Sequence, residues 1–162
     1  MTQITAKQVN ELRKQTGAGM MDCKKALVET SGDFDKAIDV LRKKGQKVAA
    51  KRADREAVEG VVLAMSSSDK NSGAIICLNC ETDFVAKNES FVDLAKSILS
   101  LALNSNCNNL DEIKQLNFTS SMTINDKLIE QTGVIGEKIE LSNYFFIASD
   151  YVSTYIHPGN KL

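Results

Sequence analysis

The spacing of apolar residues along this chain changes near residue 58, from a helical period to the pattern of short strands. In the first part, apolar side chains recur three and four positions apart, most regularly at Phe34, Ala37, Ile38 and Leu41. From Val58 onward, the runs VEGVVLAM and GAIICLNC are short and rich in β-branched residues, which is typical of strands. The pattern therefore predicts helices first and a sheet afterwards.

Capping residues set the bounds of three predicted helices at the N-terminus. Thr5 opens the first helix with a capping box, and Gly17 ends it. The second helix covers about residues 21–30. Asp33 caps the third helix, which we expect to end at Gly45 after a basic last turn.

The rest of the chain combines strands with helices. Residues 46–55, QKVAAKRADR, are basic and rich in alanine, and they indicate a helical linker. The two apolar runs then form a hairpin around SSSDKNS, a strong helix follows over about residues 90–103, and LDEIKQL predicts a short helical turn. Thr123 caps a last helix that ends at Gly133 or Gly136. The runs KIELSNYFFIAS and DYVSTYIH resemble paired strands.

This order of elements predicts an α+β fold. We divide the chain into a three-helix domain, a basic linker, a core subdomain with an antiparallel sheet and helices, and the start of a second core subdomain, at residues 1–46, 47–57, 58–140 and 141–162. The chain ends at HPGNKL, where another apolar run could begin, and a strand over residues 150–157 would be left as an open edge. We therefore interpret the chain as truncated.

Composition narrows the classes of function. The 162-residue chain is 43% hydrophobic, and its 20 Lys and Arg against 21 Asp and Glu give a net charge of −1. That balance lacks the basic field of a nonspecific nucleic-acid binder. The basic stretch 42–55 contains no aromatic residue for base stacking, so we interpret it as a solvated helix end and linker, and we expect no direct nucleic-acid binding. No apolar run approaches the ~20 residues of a membrane span, and we expect a cytosolic protein.

Cys77 and Cys80 form a C-x-x-C pair, which raises the question of a redox or zinc site. Residues three apart in a strand point to opposite faces, and Cys23, Cys107 and His157 supply no second ligand pair. We therefore predict small buried strand residues, with a thiol oxidoreductase as the alternative. The sequence contains no nucleophile motif and no phosphate-binding loop. We expect a protein that is not an enzyme and has no cofactor, metal or small-molecule substrate.

Two segments fit protein binding better than catalysis. Met20 and Met21 follow a glycine loop at the start of a helix, where flexible methionines form adaptable contacts, and we expect one of them in the core and the other partly exposed. Asp83 and Phe84 lie between the end of a strand and the cap of a helix. The residues alone leave Phe84 open between a core position and an exposed binding anchor.

The stretches TGAGMMDCKKAL (residues 16–27) and CETDFVAKN (residues 80–88) are similar to the two signature segments of the elongation factor Ts family, the exchange factors for the GTPase elongation factor Tu. The likeness covers essentially the whole chain. It implies an N-terminal domain of the ubiquitin-associated (UBA) type followed by the first half of the family's core, whose members commonly continue past YIHPGNKL. The implied function is to bind GDP-bound elongation factor Tu and promote release of GDP, with a generic UBA-like protein- or RNA-binding module as the alternative.

The resemblance also implies roles for particular residues. Phe84 would enter a crevice of elongation factor Tu beside its magnesium and phosphate region, and Asp83 would fix the neighbouring segment by polar contacts. We therefore expect Phe84 to be exposed in the free protein and buried only in the partner. The other positions that match partner contacts are Thr82, Val85, Arg13, Met20, Met21 and His157.

Overall fold

A computed structural model describes residues 4–105 and 107–156 of the chain. The described residues group into two compact units, formed by the described parts of Met1–Ala53 with Ile129–Gly136 and of Asp54–Leu128 with Glu137–Leu162. The first unit is helical, and the second contains an antiparallel sheet with helices. The predicted α+β class is confirmed.

Three N-terminal helices belong to the helical unit: α1 Ala6–Thr16, α2 Met20–Glu29 and α3 Phe34–Lys51. The predicted N-caps are confirmed, because the hydroxyl of Thr5 accepts the N–H of Gln8 in a capping box and the carboxylate of Asp33 accepts the N–H of Lys36. The core of this unit consists of small and branched apolar side chains, namely Val9, Leu12, Ala18, Cys23, Ala26, Leu27 and Ala37.

The predicted end of α3 at Gly45 is wrong, since the helix continues to Lys51 with Arg52 as its C-cap. Gly45 is buried where α3 approaches the segment that contains Gly133. A Cβ atom on Gly133 would lie 2.4 Å from the Cα atom of Gly45, far inside any normal contact. These two glycines therefore permit a close approach of two backbones, and the missing side chain of Gly45 serves packing rather than termination.

The rest of the described chain forms β1 Glu59–Ser66, β2 Ser72–Cys80, α4 Asp83–Ala86, α5 Glu89–Ser105, α6 Leu110–Gln115, β3 Asn117–Thr119, β4 Met122–Thr123, α7 Ile124–Ile135 and β5 Glu140–Ala148. The hairpin of β1 and β2 and the helices α5, α6 and α7 confirm the predictions. Thr123 caps α7 with its hydroxyl, which accepts the N–H of Asp126 at 3.1 Å. Of the two predicted stops, Gly136 ends α7, with a positive φ of 81° that favours glycine.

The main sheet has the strand order β1-β2-β5, with both pairings antiparallel. Helix α5 packs against β1 and β2 and buries an apolar stripe that consists of Phe91, Leu94, Ala95, Ile98, Leu99, Ala102 and Leu103. On the other face Ile75 lies opposite Phe145, and both are exposed, as is Ile147 on the same strand as Phe145. Among the described residues, no helix is both long and apolar enough to cross a bilayer.

The predicted pairing of KIELSNYFFIAS with DYVSTYIH is wrong. The first run forms β5, which pairs with β2, and residues 149–156 contain no strand. These residues turn back beside the hairpin loop, where Ser149 donates its N–H to the carbonyl of Asn71 at 2.9 Å and Val152 to that of Lys70 at 2.6 Å. The open edge of β2 offers β5 a long antiparallel ladder, and a local partner cannot supply that.

Candidate partner-binding site

A four-residue helix carries Phe84 on the surface directly after β2. Helix α4 begins at Asp83, three residues beyond the last strand residue, Cys80, and ends at Ala86. Ala86 is buried, whereas the side chain of Phe84 is 83% exposed. The predicted exposure of Phe84 in the free protein is confirmed. Aromatic side chains are enriched among the residues that dominate binding at interfaces, so this exposed ring is a candidate binding anchor.

Glu137 holds the backbone that leads into α4. Its Oε2 atom accepts the N–H groups of Glu81 and Thr82, each at 3.1 Å, and its Oε1 atom accepts the hydroxyl of Thr82 at 2.7 Å. In the opposite direction, the carboxylate of Glu81 accepts the N–H of Lys138, the residue after Glu137, at 2.6 Å. Hydrogen bonds to charged groups are about twice as strong as neutral ones. We call this set of four bonds the Glu137 clamp.

The side chains of α4 are held by local contacts. Asp83 forms an ion pair with Lys87 one turn later, and the hydrogen bond from Lys87 holds the pKa of Asp83 below its usual value. Asn88 then caps the start of α5, where its side-chain oxygen accepts the N–H of Ser90 at 3.0 Å. The carboxylate of Asp83 is half-exposed and lies beside Phe84, so it is available to a partner if Lys87 releases it. Val85 is half-buried.

Both methionines of the glycine loop are on the surface. Met20 is 52% exposed and Met21 is 62% exposed, so the expectation that one of them fills the core is wrong. The space beneath the loop is taken by Cys23, whose thiol donates to the carbonyl of Ala18 at 3.6 Å, and by Thr16, whose hydroxyl accepts the N–H of Ala18 at 3.3 Å. The buried Thr16, Ala18 and Cys23 therefore fix the loop and leave the methionines outside.

Arg13 lies in the last turn of α1 and is exposed. Its carbonyl accepts the N–H of Gly17 at 2.8 Å, where the chain turns into the loop that precedes Met20. The helical unit thus presents Arg13, Met20 and Met21 to solvent near this turn. His157, the remaining predicted partner contact, lies outside the described residues.

The cysteine thiols are packing groups. The prediction that Cys77 and Cys80 are small buried strand residues is confirmed, since both are buried in β2 and neither forms a disulfide. Burial raises the pKa of Cys80 from 9.0 to about 11, and the negative charge of Glu137 adds to this rise. A thiol with so high a pKa is a poor nucleophile at neutral pH, which disfavours redox chemistry at this position. In the part of the chain that the structure describes, no three His, Cys, Asp or Glu side chains converge as metal ligands.

Glu137 is not among the residues that the sequence predicts for the site. The run GVIGEK places this residue directly after the glycine that ends α7, and nothing in the local pattern separates it from any other charged residue of a loop. Its role depends on an encounter with Thr82, which lies 55 residues earlier in the chain. Only the antiparallel pairing of β5 with β2 brings the two segments together.

Comparisons with known proteins identify relatives of this chain. The family model described as "Elongation factor TS" matches residues 81–162, half of the chain. Relatives named "Elongation factor Ts" include those of Christiangramia forsetii, 55% identical, and Flavobacterium psychrophilum, 57% identical, each over all 162 residues of this chain and 58% of the relative. The relative from Rhodopirellula baltica is 52% identical over all of this chain and 49% of its own length. The chain therefore spans about half the length of the relatives it matches.

Proposed function

This chain belongs to the elongation factor Ts family, and we propose that it binds elongation factor Tu in the GDP-bound state and promotes release of GDP so that GTP can bind. The observation that carries this proposal is the exposed Phe84 on α4, inside the stretch CETDFVAKN. The role is one of a translation elongation factor, and a cytosolic location fits it.

Phe84 is the residue that we assign to the nucleotide site of the partner. Its ring is free in solvent, so insertion between helices of the GTPase removes apolar surface from water at no cost to packing in this chain. Full burial of such a side chain contributes about 1.5–3 kcal/mol. That free energy favours a conformation of the partner in which the magnesium and phosphate contacts are disturbed.

Asp83 supplies a polar contact beside the ring. In the free chain its carboxylate is paired with Lys87, and an exposed pair of this kind contributes little to stability. Asp83 can therefore exchange Lys87 for a hydrogen-bond donor on the GTPase at little cost in free energy. Thr82 and Val85 flank the pair and are further proposed contacts with the GTPase, and the hydrogen bond from the Thr82 hydroxyl to Glu137 also shapes the turn.

A second contact surface lies on the helical unit. Two neighbouring exposed methionines adapt to an apolar groove, and the guanidinium of Arg13 provides a charged contact nearby. We propose that Arg13, Met20 and Met21 contribute affinity, whereas Phe84 contributes the change in nucleotide binding. We keep His157 as a proposed contact from the sequence match alone.

Exchange requires no covalent chemistry from this chain. Because coupling between two ligands is reciprocal, the chain weakens GDP binding by the same factor by which GDP weakens binding of the chain. A nucleophile, metal or cofactor on the chain has no part in that cycle. The factor by which the chain weakens GDP binding equals the ratio of the chain's affinities for the nucleotide-free and the GDP-bound partner.

The proposal is tested by release of a fluorescent GDP analogue from elongation factor Tu, chased with excess GDP, at increasing concentrations of the 162-residue chain. We expect the release rate to rise with chain concentration and then saturate. Binding of the chain should be tighter to nucleotide-free partner than to the GDP complex, by the same factor that links the two GDP affinities. A release rate that stays at the intrinsic value at all concentrations contradicts the proposal.

A further inference from the structure

We propose that Glu137 is a positioning residue, which presets the turn before α4 so that Phe84 points outward and is ready to insert. The inference rests on the proposed exchange function. Glu137 does not itself touch the partner in this scheme. It acts through the backbone of Glu81 and Thr82.

Helix α4 lacks a side-chain cap at its N-terminus. Thr82 occupies the N-cap position of α4 with an extended backbone (φ −126°, ψ 152°), yet its side chain makes no capping hydrogen bond. A threonine in this position usually satisfies a free N–H of the first turn. Here its hydroxyl donates to Glu137 instead. The direction in which α4 leaves the strand is therefore tied to a distant residue.

Helix α4 is too short to be stable by itself. The helix has four residues, and the Ala86 N–H to Thr82 carbonyl bond, at 3.2 Å, and the Lys87 N–H to Asp83 carbonyl bond, at 3.0 Å, form its turn. So short a helix does not persist without external support. The ring of Phe84 is 83% exposed, so packing within this chain does not orient it. The backbone of the turn must therefore set the direction of the ring.

The Glu137 clamp ties the turn before α4 to the segment before β5. Both oxygens of Glu137 are occupied, one by two backbone N–H groups and the other by a hydroxyl. Glu81 returns a bond to the N–H of Lys138, so the two segments are tied in both directions. Gly136 gives the chain its left-handed turn just before Glu137, and β5 begins just after Lys138. The clamp thus ties the backbone that leads into the short helix α4 to the segment that leads into β5.

Pre-organisation of the turn has a measurable consequence. If the loss of the clamp lets α4 sample other directions, only a fraction of molecules presents Phe84 correctly, and the apparent affinity falls by that fraction. A competent fraction of one tenth lowers stimulated exchange at sub-saturating chain by about tenfold. At saturating chain the effect should shrink, since the partner selects the competent form.

The free chain gives a first test, which needs no partner. Backbone amide hydrogen exchange is measured for Glu81 and Thr82 in the wild type, Glu137→Ala, Glu137→Gln and the control Glu56→Ala. Glu56 is an exposed glutamate of the same unit, outside every helix and strand. We expect Glu137→Ala to speed exchange at both amides by about tenfold or more, and Glu137→Gln to do so less, because its carboxamide oxygen still accepts the two N–H groups. Unchanged exchange in Glu137→Ala overturns the proposal.

The second test separates positioning from general stability. Stimulated GDP release is measured for Glu137→Ala, Phe84→Ala and the double variant. If Glu137 acts only through Phe84, Glu137→Ala loses about tenfold alone and adds little to Phe84→Ala, whereas independent effects multiply. Thr82→Val removes only the hydroxyl donor and keeps the size of the side chain, so it should lose less, about threefold, even if Glu137→Ala folds poorly. If the losses of the two single variants multiply in the double variant, the positioning role is overturned.

The two proposals fail in different ways. A wild-type chain that does not accelerate release overturns the exchange function, and the positioning role falls with it. A wild-type chain that accelerates release, together with a folded Glu137→Ala variant of unchanged activity, overturns the positioning role alone. Rescue by Glu137→Gln to within about threefold of the wild type supports the backbone bonds as the cause.

Discussion

Glu137 and Thr82 lie 55 residues apart in the chain and are joined by two hydrogen bonds, at 3.1 Å to the backbone N–H and 2.7 Å to the hydroxyl. The pair links the segment before β5 to the N-cap residue of α4. Two residues beyond Thr82, Phe84 is in solvent. The most exposed aromatic side chain in the candidate site thus follows directly on a tightly bonded piece of backbone.

Replacement of Phe84 by alanine should reduce stimulated GDP release while the fold stays intact. Loss of an interface anchor costs about 2 kcal/mol or more, equivalent to about thirtyfold in rate at sub-saturating chain. The unfolding free energy should change by no more than about 0.5 kcal/mol, since the ring has few contacts in the free chain. The measurements are chased release of fluorescent GDP and denaturant unfolding.

Phe145 provides the matched control for that variant. It is also a phenylalanine of the same unit and is 71% exposed, but it lies on the open face of the sheet. Phe145→Ala should leave stimulated release near the wild-type value. Equal losses in the two variants would argue for a general effect of surface hydrophobicity rather than for insertion of Phe84.

Substitution of Met20 and Met21 together by glutamine should weaken binding to elongation factor Tu while the helical unit remains folded. Both side chains are more than half exposed, so a polar side chain of similar length costs little stability. We expect the dissociation constant to rise about fivefold or more, as measured by titration calorimetry. Val28→Gln, at another exposed apolar position of α2, should have no effect on affinity.

Alanine at position 133 should destabilise the chain. Its Cβ would lie 2.4 Å from the Cα of Gly45, so two backbones must separate to accept it. Overpacking of this kind costs about 1–3 kcal/mol, measured as a lower midpoint of urea unfolding. Gly19→Ala is the control, because the nearest atom to its Cβ would be a side-chain oxygen at 3.7 Å. An equally stable Gly133→Ala would contradict the close backbone approach.

The raised pKa of Cys80 predicts that the chain loses stability at alkaline pH. Its pKa is about 11 in the folded chain against a usual 9.0, so folding favours the neutral thiol. This contribution is complete below pH 9 and is lost as the pH rises to 11. The unfolding free energy of the wild type should therefore fall more steeply between pH 9 and 11 than that of Cys80→Ala. Parallel curves for the two proteins would show that this thiol does not contribute.

The pKa of the Cys80 thiol also depends on the negative charge of Glu137. Because the charge of that carboxylate raises the pKa of Cys80 further, Glu137→Gln should lower this pKa towards, but not to, 9.0, since burial is the larger cause. Ultraviolet absorbance of the thiolate, compared between Cys80-containing and Cys80→Ala backgrounds, measures the change. Glu56→Ala should leave it unaltered.

Local signals in the sequence were sufficient for much of the fold. The capping box at Thr5, the cap at Asp33 and the apolar, β-branched runs on either side of SSSDKNS all depend on neighbouring residues, and the structure confirms each. The exposure of Phe84 was not decided by spacing. It followed from the resemblance of CETDFVAKN to a family motif, and the structure agrees.

The sequence by itself thus determined the helices, the hairpin and the family, because caps, periodicity and motifs are properties of short stretches of chain. Only the tertiary structure decided that β5 pairs with β2, that Gly45 allows two backbones to meet rather than ending a helix, and that Glu137 holds the turn before Phe84. These features depend on which distant segments become neighbours. The sequence does not show which distant group a carboxylate or a glycine will contact. A carboxylate can accept a hydrogen bond from many donors, and a glycine can permit the close approach of many different segments.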